Sequence, residues 1–152
     1  MISVKSNTDL EKLRAAGRIA GRALKLAGES VRAGMTTKEL DKIVHDYIVS
    51  CGATPSFLGY GGFKGSACIS INNEVIHGIP SSKRKIADGD IVSVDVGAYY
   101  NGFHGDTCAT FAVGHISDEA KKLLEVTEAS LYAGIDAAVV GARMGDVSHT
   151  VE

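Results

Sequence analysis

Tryptophan is absent from the 152-residue sequence, and proline occurs only twice. With so little proline, the 18 glycines cannot belong to a disordered Pro/Gly tract. Cysteine is sparse and odd in number. Cys51, Cys68 and Cys108 have no CxxC spacing, which argues against a disulfide scaffold or a thiolate zinc site and fits a reducing cytoplasm. No apolar run approaches the ~18 residues of a membrane span, and the opening Met1–Lys5 has no apolar stretch of the secretory type. Charge of one sign is also lacking. The 16 basic and 18 acidic side chains leave a net charge of −2, so neither a nucleic acid nor a membrane surface is an expected partner.

What is present suits a folded core. Hydrophobic residues make up 45% of the chain, and its length lies within the range of one domain. Glycine at about 12% against a typical ~7% points to tight turns and close backbone approaches.

Thr8-Asp9-Leu10-Glu11 has the form of a capping box before an apolar period through Leu10, Leu13, Ala16, Ala20, Ala23, Leu24 and Ala27. This predicts a long helix ending near Gly34. A second box, Thr36 to Glu39, predicts a shorter helix that ends near Gly52, with Leu40, Ile43, Val44, Tyr47 and Ile48 on one face. A β-rich middle follows. Residues 58–65 form a glycine-rich loop, 67–71 a strand, and Asn72-Asn73 a turn. Asn101-Gly102 stands between the runs 91–100 and 103–113, which is a strong hairpin signal. Ser117 is placed to cap a third helix containing Leu123, Leu124, Val126, Leu131 and Ile135.

A shift of 107 positions overlays the two helical stretches: Ile19 on Val126, Leu24 on Leu131, Gly34 on Gly141, Leu40 on Val147 and Val44 on Val151. Identities are few, and chance similarity competes with duplication. If the repeat is real, its second copy stops inside its second helix, and its β part would end near position ~220.

The hairpin carries the chemistry. A two-residue loop at Asn101-Gly102 sets Asp95 opposite Cys108 and Asp106 opposite Gly97. The two aspartates are then diagonal neighbours on one face, roughly 7–8 Å apart at the backbone. Val94, Val96, Ala98, Ala109 and Phe111 take the other face and suit a core. Two carboxylates on a valine-rich strand pair call for compensation, and a divalent cation such as Mg, Mn, Fe, Co or Zn would supply it. Ordinary salt bridges or turn roles are the competing reading, and a β-bulge would break the register.

His77 lies in Val75-Ile76-His77-Gly78-Ile79-Pro80, a loop position where an imidazole could orient a substrate or move a proton; a solvated loop histidine is the alternative. Tyr60 and Phe63 could line an apolar pocket or simply pack. His104 shares the aspartate face near the hairpin tip, and His45 and His149 are expected at helix surfaces. G-x-S-x-G, HExxH and P-loop patterns do not occur. Gly62-Phe63-Lys64-Gly65 matches a KH-type GxxG loop, but four residues and a net charge of −2 give it little weight.

Three stretches together resemble type I, bacterial-like methionine aminopeptidases, which are metallopeptidases of the pita-bread fold. They are Cys68 to Pro80, Asp88 to Asp95, and Gly102-Phe103-His104-Gly105-Asp106-Thr107. Ile2 to Gly17 is similar to that family's first helix, so the resemblance covers essentially the whole chain.

It implies an α+β pita-bread (creatinase/aminopeptidase-like) fold, an antiparallel sheet with helices on one face. Residues 1–113 would form the first pseudo-symmetric half and 114–152 the start of the second, together a single incomplete domain. The implied activity is metal-dependent removal of the N-terminal methionine from peptides and nascent proteins in the cytoplasm. By the same resemblance Asp95 chelates one metal and Asp106 bridges two, the ions being Co, Mn, Fe or Zn. His77 contacts the substrate and its scissile amide as a catalytic group. Tyr60, Phe63 and Cys68 hold the methionine side chain. Phe57, Gly61 and Phe63 depart from residues common in the family.

The family's ligand set also has a His and two Glu, one Glu being the expected base, in the second half. This chain alone is therefore expected to bind metal weakly and to show little or no peptidase activity. An inactive fragment, or a non-catalytic pita-bread module that binds a peptide or protein, is the alternative. Self-association through the face left uncovered is a further expectation.

Overall fold

The computed structural model describes residues 3–152 and contains two compact units, one running to His115 and the other covering Ile116–Glu152. In the first, α1 (Asn7–Ser30) and α2 (Thr37–Ser50) precede a four-stranded antiparallel sheet of β1 (Thr54–Pro55), β2 (Ala67–Ile71), β3 (Ile91–Tyr100) and β4 (Phe103–Ala112). β3 is the central strand. β4 pairs along one side of it, while β2 and the short β1 share the other.

The cap of α1 differs from the expected one. Ser6, not Thr8, is the N-cap. Its hydroxyl accepts the Asp9 N–H at 3.2 Å, and the Asp9 carboxylate accepts the Ser6 N–H at 3.0 Å. Two overlapping box patterns exist in the sequence, and the earlier one forms. The helix also ends sooner than Gly34. Val31 turns extended, Gly34 donates its N–H to the Ile86 carbonyl at 2.8 Å, and Ile86 donates back to Met35 at 2.8 Å. That distant pairing claims the backbone a longer helix would have used. The Thr36–Glu39 box forms as expected at the start of α2.

α1 and α2 lie on one face of the sheet. Ala20, Ala23, Ala27, Leu40, Val44 and Ile48 share one core with Ile69, Ile71, Val92, Val94, Val96 and Ala98, and Ala109 and Phe111 pack against it. Fully burying each of the larger side chains stabilises the fold by about 1.5–3 kcal/mol before entropy is counted. Alanines on α1 let it sit close to β4. A side chain at Gly105 would meet the Ala16 carbonyl carbon at 2.4 Å, and one at Gly28 would meet the Phe111 ring at 2.2 Å.

The second unit holds α3 (Asp118–Ala137), capped by Ser117, and α4 (Met144–Val151). Its boundaries repeat those of the first helix pair. Ser30 and Ala137 end the long helices, and Thr37 and Met144 begin the short ones, each pair 107 positions apart. Gly34 and Gly141 both take left-handed φ, +87° and +93°. The Glu39 carboxylate accepts the Thr36 N–H at 2.7 Å, and Asp146 does the same for Arg143 at 2.8 Å.

Candidate metal and substrate site

The hairpin register sets the site. Asn101 and Gly102 both adopt positive φ, +51° and +87°, as a two-residue I′ turn requires. Asp95 pairs with Cys108 and Gly97 with Asp106, with no bulge between. Asp95 and Asp106 therefore share one face, opposite the helices. β2 extends that face, since Cys68 pairs with Asp95 from the other side. A row Cys68–Asp95–Cys108 results, followed toward the strand ends by Ser70–Ser93–Thr110, in which the Ser93 and Thr110 hydroxyls hydrogen-bond at 2.8 Å.

Burial raises the Asp95 carboxyl above the usual carboxylate range. The nearby Asp106 charge adds to this, as does a hydrogen bond between the two side chains, while His77 acts the other way. The Cys68 thiol is pushed up to about 11, chiefly by burial and then by Asp95. Cys108 shifts upward for the same two reasons. All three cysteines are free thiols. Burial and the two neighbouring carboxylates thus both disfavour negative charge on this face.

The loop after β2 supplies His77. Ile69 donates its N–H to the Gly78 carbonyl at 2.9 Å, and Gly78 donates to the Ser70 hydroxyl at 3.1 Å. Contact is so close that a side chain at Gly78 would lie 2.1 Å from the Ile69 carbonyl oxygen. Pinned in this way, His77 adopts φ +59°, a conformation costly for a non-glycine residue. It borders a cleft of about 510 Å³ formed by Phe57, Tyr60, Gly61, Gly62, Phe63, Cys68, His77, Ile79 and Asp95. A single 3-10 turn, Tyr60–Gly62, carries the wall.

The structure thus brings Tyr60, Phe63, Cys68, His77 and Asp95 around one cleft, with Asp106 beside Asp95 on the adjoining strand. Phe57 and Ile79 complete the apolar lining. Phe57 is one of the positions at which the sequence departs from the family's usual residues, whereas Ile79 carries no pocket signal in the sequence beyond its place two residues after His77. His104 stays on the aspartate face, where its Nδ1 meets the Ser56 hydroxyl at 2.9 Å. His45 is not a free surface residue, because its Nδ1 lies 2.8 Å from the hydroxyl of buried Ser66.

A larger, shallower cleft of about 630 Å³ follows α2 past Lys38, Lys42, His45 and Asp46. The buried polar group there, Asp41, is already engaged. It accepts the Ser66 and Ala67 N–H groups at 2.6 and 3.0 Å and pairs with Lys38 at 2.7 Å. Its work is to fasten α2 to the start of β2, and sequence patterning did not reveal it.

Among the described residues no cluster of three or more His, Cys, Asp and Glu converges as a complete metal cage. The Asp95–Asp106 pair still fits a divalent cation. It presents hard oxygen donors on one face, with mutual repulsion that a cation would relieve.

A carboxylate pair beside an apolar cleft is compatible with a cation site, and comparison with known proteins gives the class. Residues 11–152 match the model of metallopeptidase family M24, and the chain belongs to that family. It is 49% identical over 152 residues to a methionine aminopeptidase of Clostridium acetobutylicum, and equally to methionine aminopeptidase 1 of Bacillus subtilis. All of this chain is covered in each case, but only 61% of each relative. The solved methionine aminopeptidase of Rickettsia prowazekii superposes with a TM-score of 0.96 at 36% identity, over 99% of this chain and 60% of that one. The fold is the pita-bread fold, and the chain spans about three fifths of the length of these relatives.

Proposed function

We propose that these residues form the substrate pocket and the aspartate part of the metal site of a methionine aminopeptidase, acting on the N-terminal methionine of peptides and nascent proteins. The observation that carries this reading is the shared location of His77 and Asp95 on one apolar cleft, with Asp106 diagonal to Asp95 on the adjoining strand. Tyr60, Phe63 and Cys68 exclude water and offer dispersion contacts to an unbranched apolar side chain. His77, held in one backbone conformation by the Gly78 contacts, presents its imidazole to the first peptide bond. Asp95 and Asp106 hold the cations, two in a complete site, with Co, Mn, Fe or Zn as candidates. Such a cation supplies Lewis acidity toward the carbonyl and lowers the pKa of water. Free thiols at all three cysteines support a cytoplasmic location.

The 107-residue recurrence of helix ends, glycine breaks and carboxylate caps supports a duplicated architecture. In it, residues 1–113 form one half and 114–152 open the next. With two carboxylates as its only assigned ligands, the 152-residue polypeptide is expected to hydrolyse a Met-peptide little or not at all with added Mn or Co. Robust turnover by the purified chain would sink that expectation.

The substrate reading is tested by calorimetric titration. A Met-Ala-Ser peptide should bind with added Mn, and a Lys-Ala-Ser peptide should bind at least ten times more weakly. Equal affinities would overturn it. A non-catalytic peptide-binding module is a second reading, favoured by the lack of a converging three-ligand cluster among the described residues. In that case peptide affinity would be indifferent to the cation.

A further inference from the structure

Gly97 is required by space rather than by its backbone. Its φ is not left-handed, so the main chain there would accept any residue. The surroundings would not. A Cβ at Gly97 would stand 2.7 Å from Phe57 Cε1, 3.0 Å from its Cζ and 2.8 Å from the Ser56 Cβ. Gly97 shares the aspartate face, two residues from Asp95 on β3 and opposite Asp106 on β4. The Phe57 ring therefore rests against the sheet in the gap that the missing side chain leaves, next to the carboxylate pair.

The segment that carries the ring is fastened on both sides. Pro55 pairs with Ala98, and Ser56 donates its N–H to the Gly97 carbonyl at 2.9 Å. The Ser56 hydroxyl meets His104 Nδ1 at 2.9 Å, and the Phe57 carbonyl accepts the Tyr60 N–H at 3.0 Å. With its backbone fixed and the sheet behind it, the ring has few rotamers open to it. The other rings of the cleft are less constrained. Tyr60 is 82% exposed, and Phe63 follows a turn whose Gly61 and Gly62 have open space around them.

We infer that Phe57, seated over Gly97, is a specificity-determining residue: its ring sets the width of the cleft, which takes a slim, unbranched N-terminal side chain and rejects an aromatic one. Half-buried Phe57 lines the same cleft as buried Cys68, His77 and Asp95. A wall that cannot step aside discriminates by size, because a bulkier group must either displace it or stay out. The width is set by contacts within the chain, whereas its consequence for substrate rests on the methionine reading proposed above.

The experiment has two arms on the 152-residue chain. In the first, Cys68 reports the width. Mass spectrometry follows its reaction with a methyl and with a benzyl methanethiosulfonate, and the ratio of the two rates cancels the ionisation of the thiol. The benzyl-to-methyl ratio should rise stepwise through Phe57→Leu to Phe57→Ala, reaching about tenfold in the latter. Gly97→Ala should shift the ratio when the ring is present and leave it unchanged in the Phe57→Ala background, since the two residues act through one contact. Should Gly97→Ala fail to melt cooperatively, the Phe57 series decides alone. A flat ratio across that series, or an equal effect of Gly97→Ala in both backgrounds, overturns the inference.

The second arm is calorimetric titration with Met-Ala-Ser and Phe-Ala-Ser peptides in MnCl2. Phe57→Ala should bind the Phe-peptide about ten times more tightly than the parent does, and the Met-peptide more weakly. Unchanged preference overturns Phe57 as the determinant of specificity. A Cys68 ratio that moves as expected while neither peptide binds any variant upholds the width set by Phe57 and overturns the methionine reading instead.

Discussion

Replacing Asp106 with asparagine removes one of two like charges without changing shape, so it separates the cost of the carboxylate pair from its use. The side chains project from diagonal positions on one face of the hairpin and approach each other directly, with charge centres roughly 5 Å apart. Coulomb's law at an effective dielectric between water and a protein surface gives about 1–3 kcal/mol of repulsion at that range. Asp106 is exposed, so the lower end applies, about 1 kcal/mol. In EDTA at neutral pH the variant should therefore melt about 3 °C higher than the parent.

In saturating Mn the order should reverse. A ligand present at a hundred times its dissociation constant stabilises by about 2.7 kcal/mol, and the variant forfeits most of that. The pH dependence has a definite sign. The Asp95 carboxyl is raised in the folded state, so folding favours its protonated form. Its contribution is fully present below the unfolded pKa and is lost as pH rises through the folded one. The advantage of the variant in EDTA should therefore shrink as pH falls below neutral. Scanning calorimetry over pH, with and without Mn, reads all three effects. A variant less stable than the parent in EDTA, or an equal Mn shift in both, would refute the reasoning.

Three further outcomes follow from the geometry. His77→Gly should gain about 1 kcal/mol in denaturant stability by relieving the left-handed backbone, while its affinity for a Met-peptide falls. Gly105→Ala should lose about 1–3 kcal/mol, because its methyl would press on the Ala16 backbone; Gly21→Ala, in open space on the same helix–sheet layer, should gain about 0.5–1 kcal/mol. Under iodoacetamide at pH 8, mass spectrometry should find Cys68 alkylated far more slowly than exposed Cys108, because Cys68 is buried and its thiol sits at about 11. Equal rates would contradict that environment.

How much of the site the sequence reveals depends on the range of the contacts. The pairing of Asp95 with Cys108 and of Gly97 with Asp106 is legible, because a two-residue turn fixes register and parity over the whole hairpin. The Thr36–Glu39 box is legible for the same local reason. Cys68 opposite Asp95 is not, since that pairing joins segments 27 residues apart in the chain through β2. Asp41 reads as one more charge on a helix, and only the distant Ser66 and Ala67 amides show what it holds. The end of α1 fails in the same way, with Ile86 deciding where Gly34 and Met35 go.

The Asn101-Gly102 hairpin also bears on the order in which the molecule assembles. Its two carboxylates come together by closing a loop of two residues, an event of about 1–10 µs. The cleft wall must bring Phe57 and Tyr60 to Asp95 across more than thirty residues, at a higher entropic cost and a slower rate. The hairpin can therefore close, and bring its two carboxylates together, before the surrounding sheet is complete.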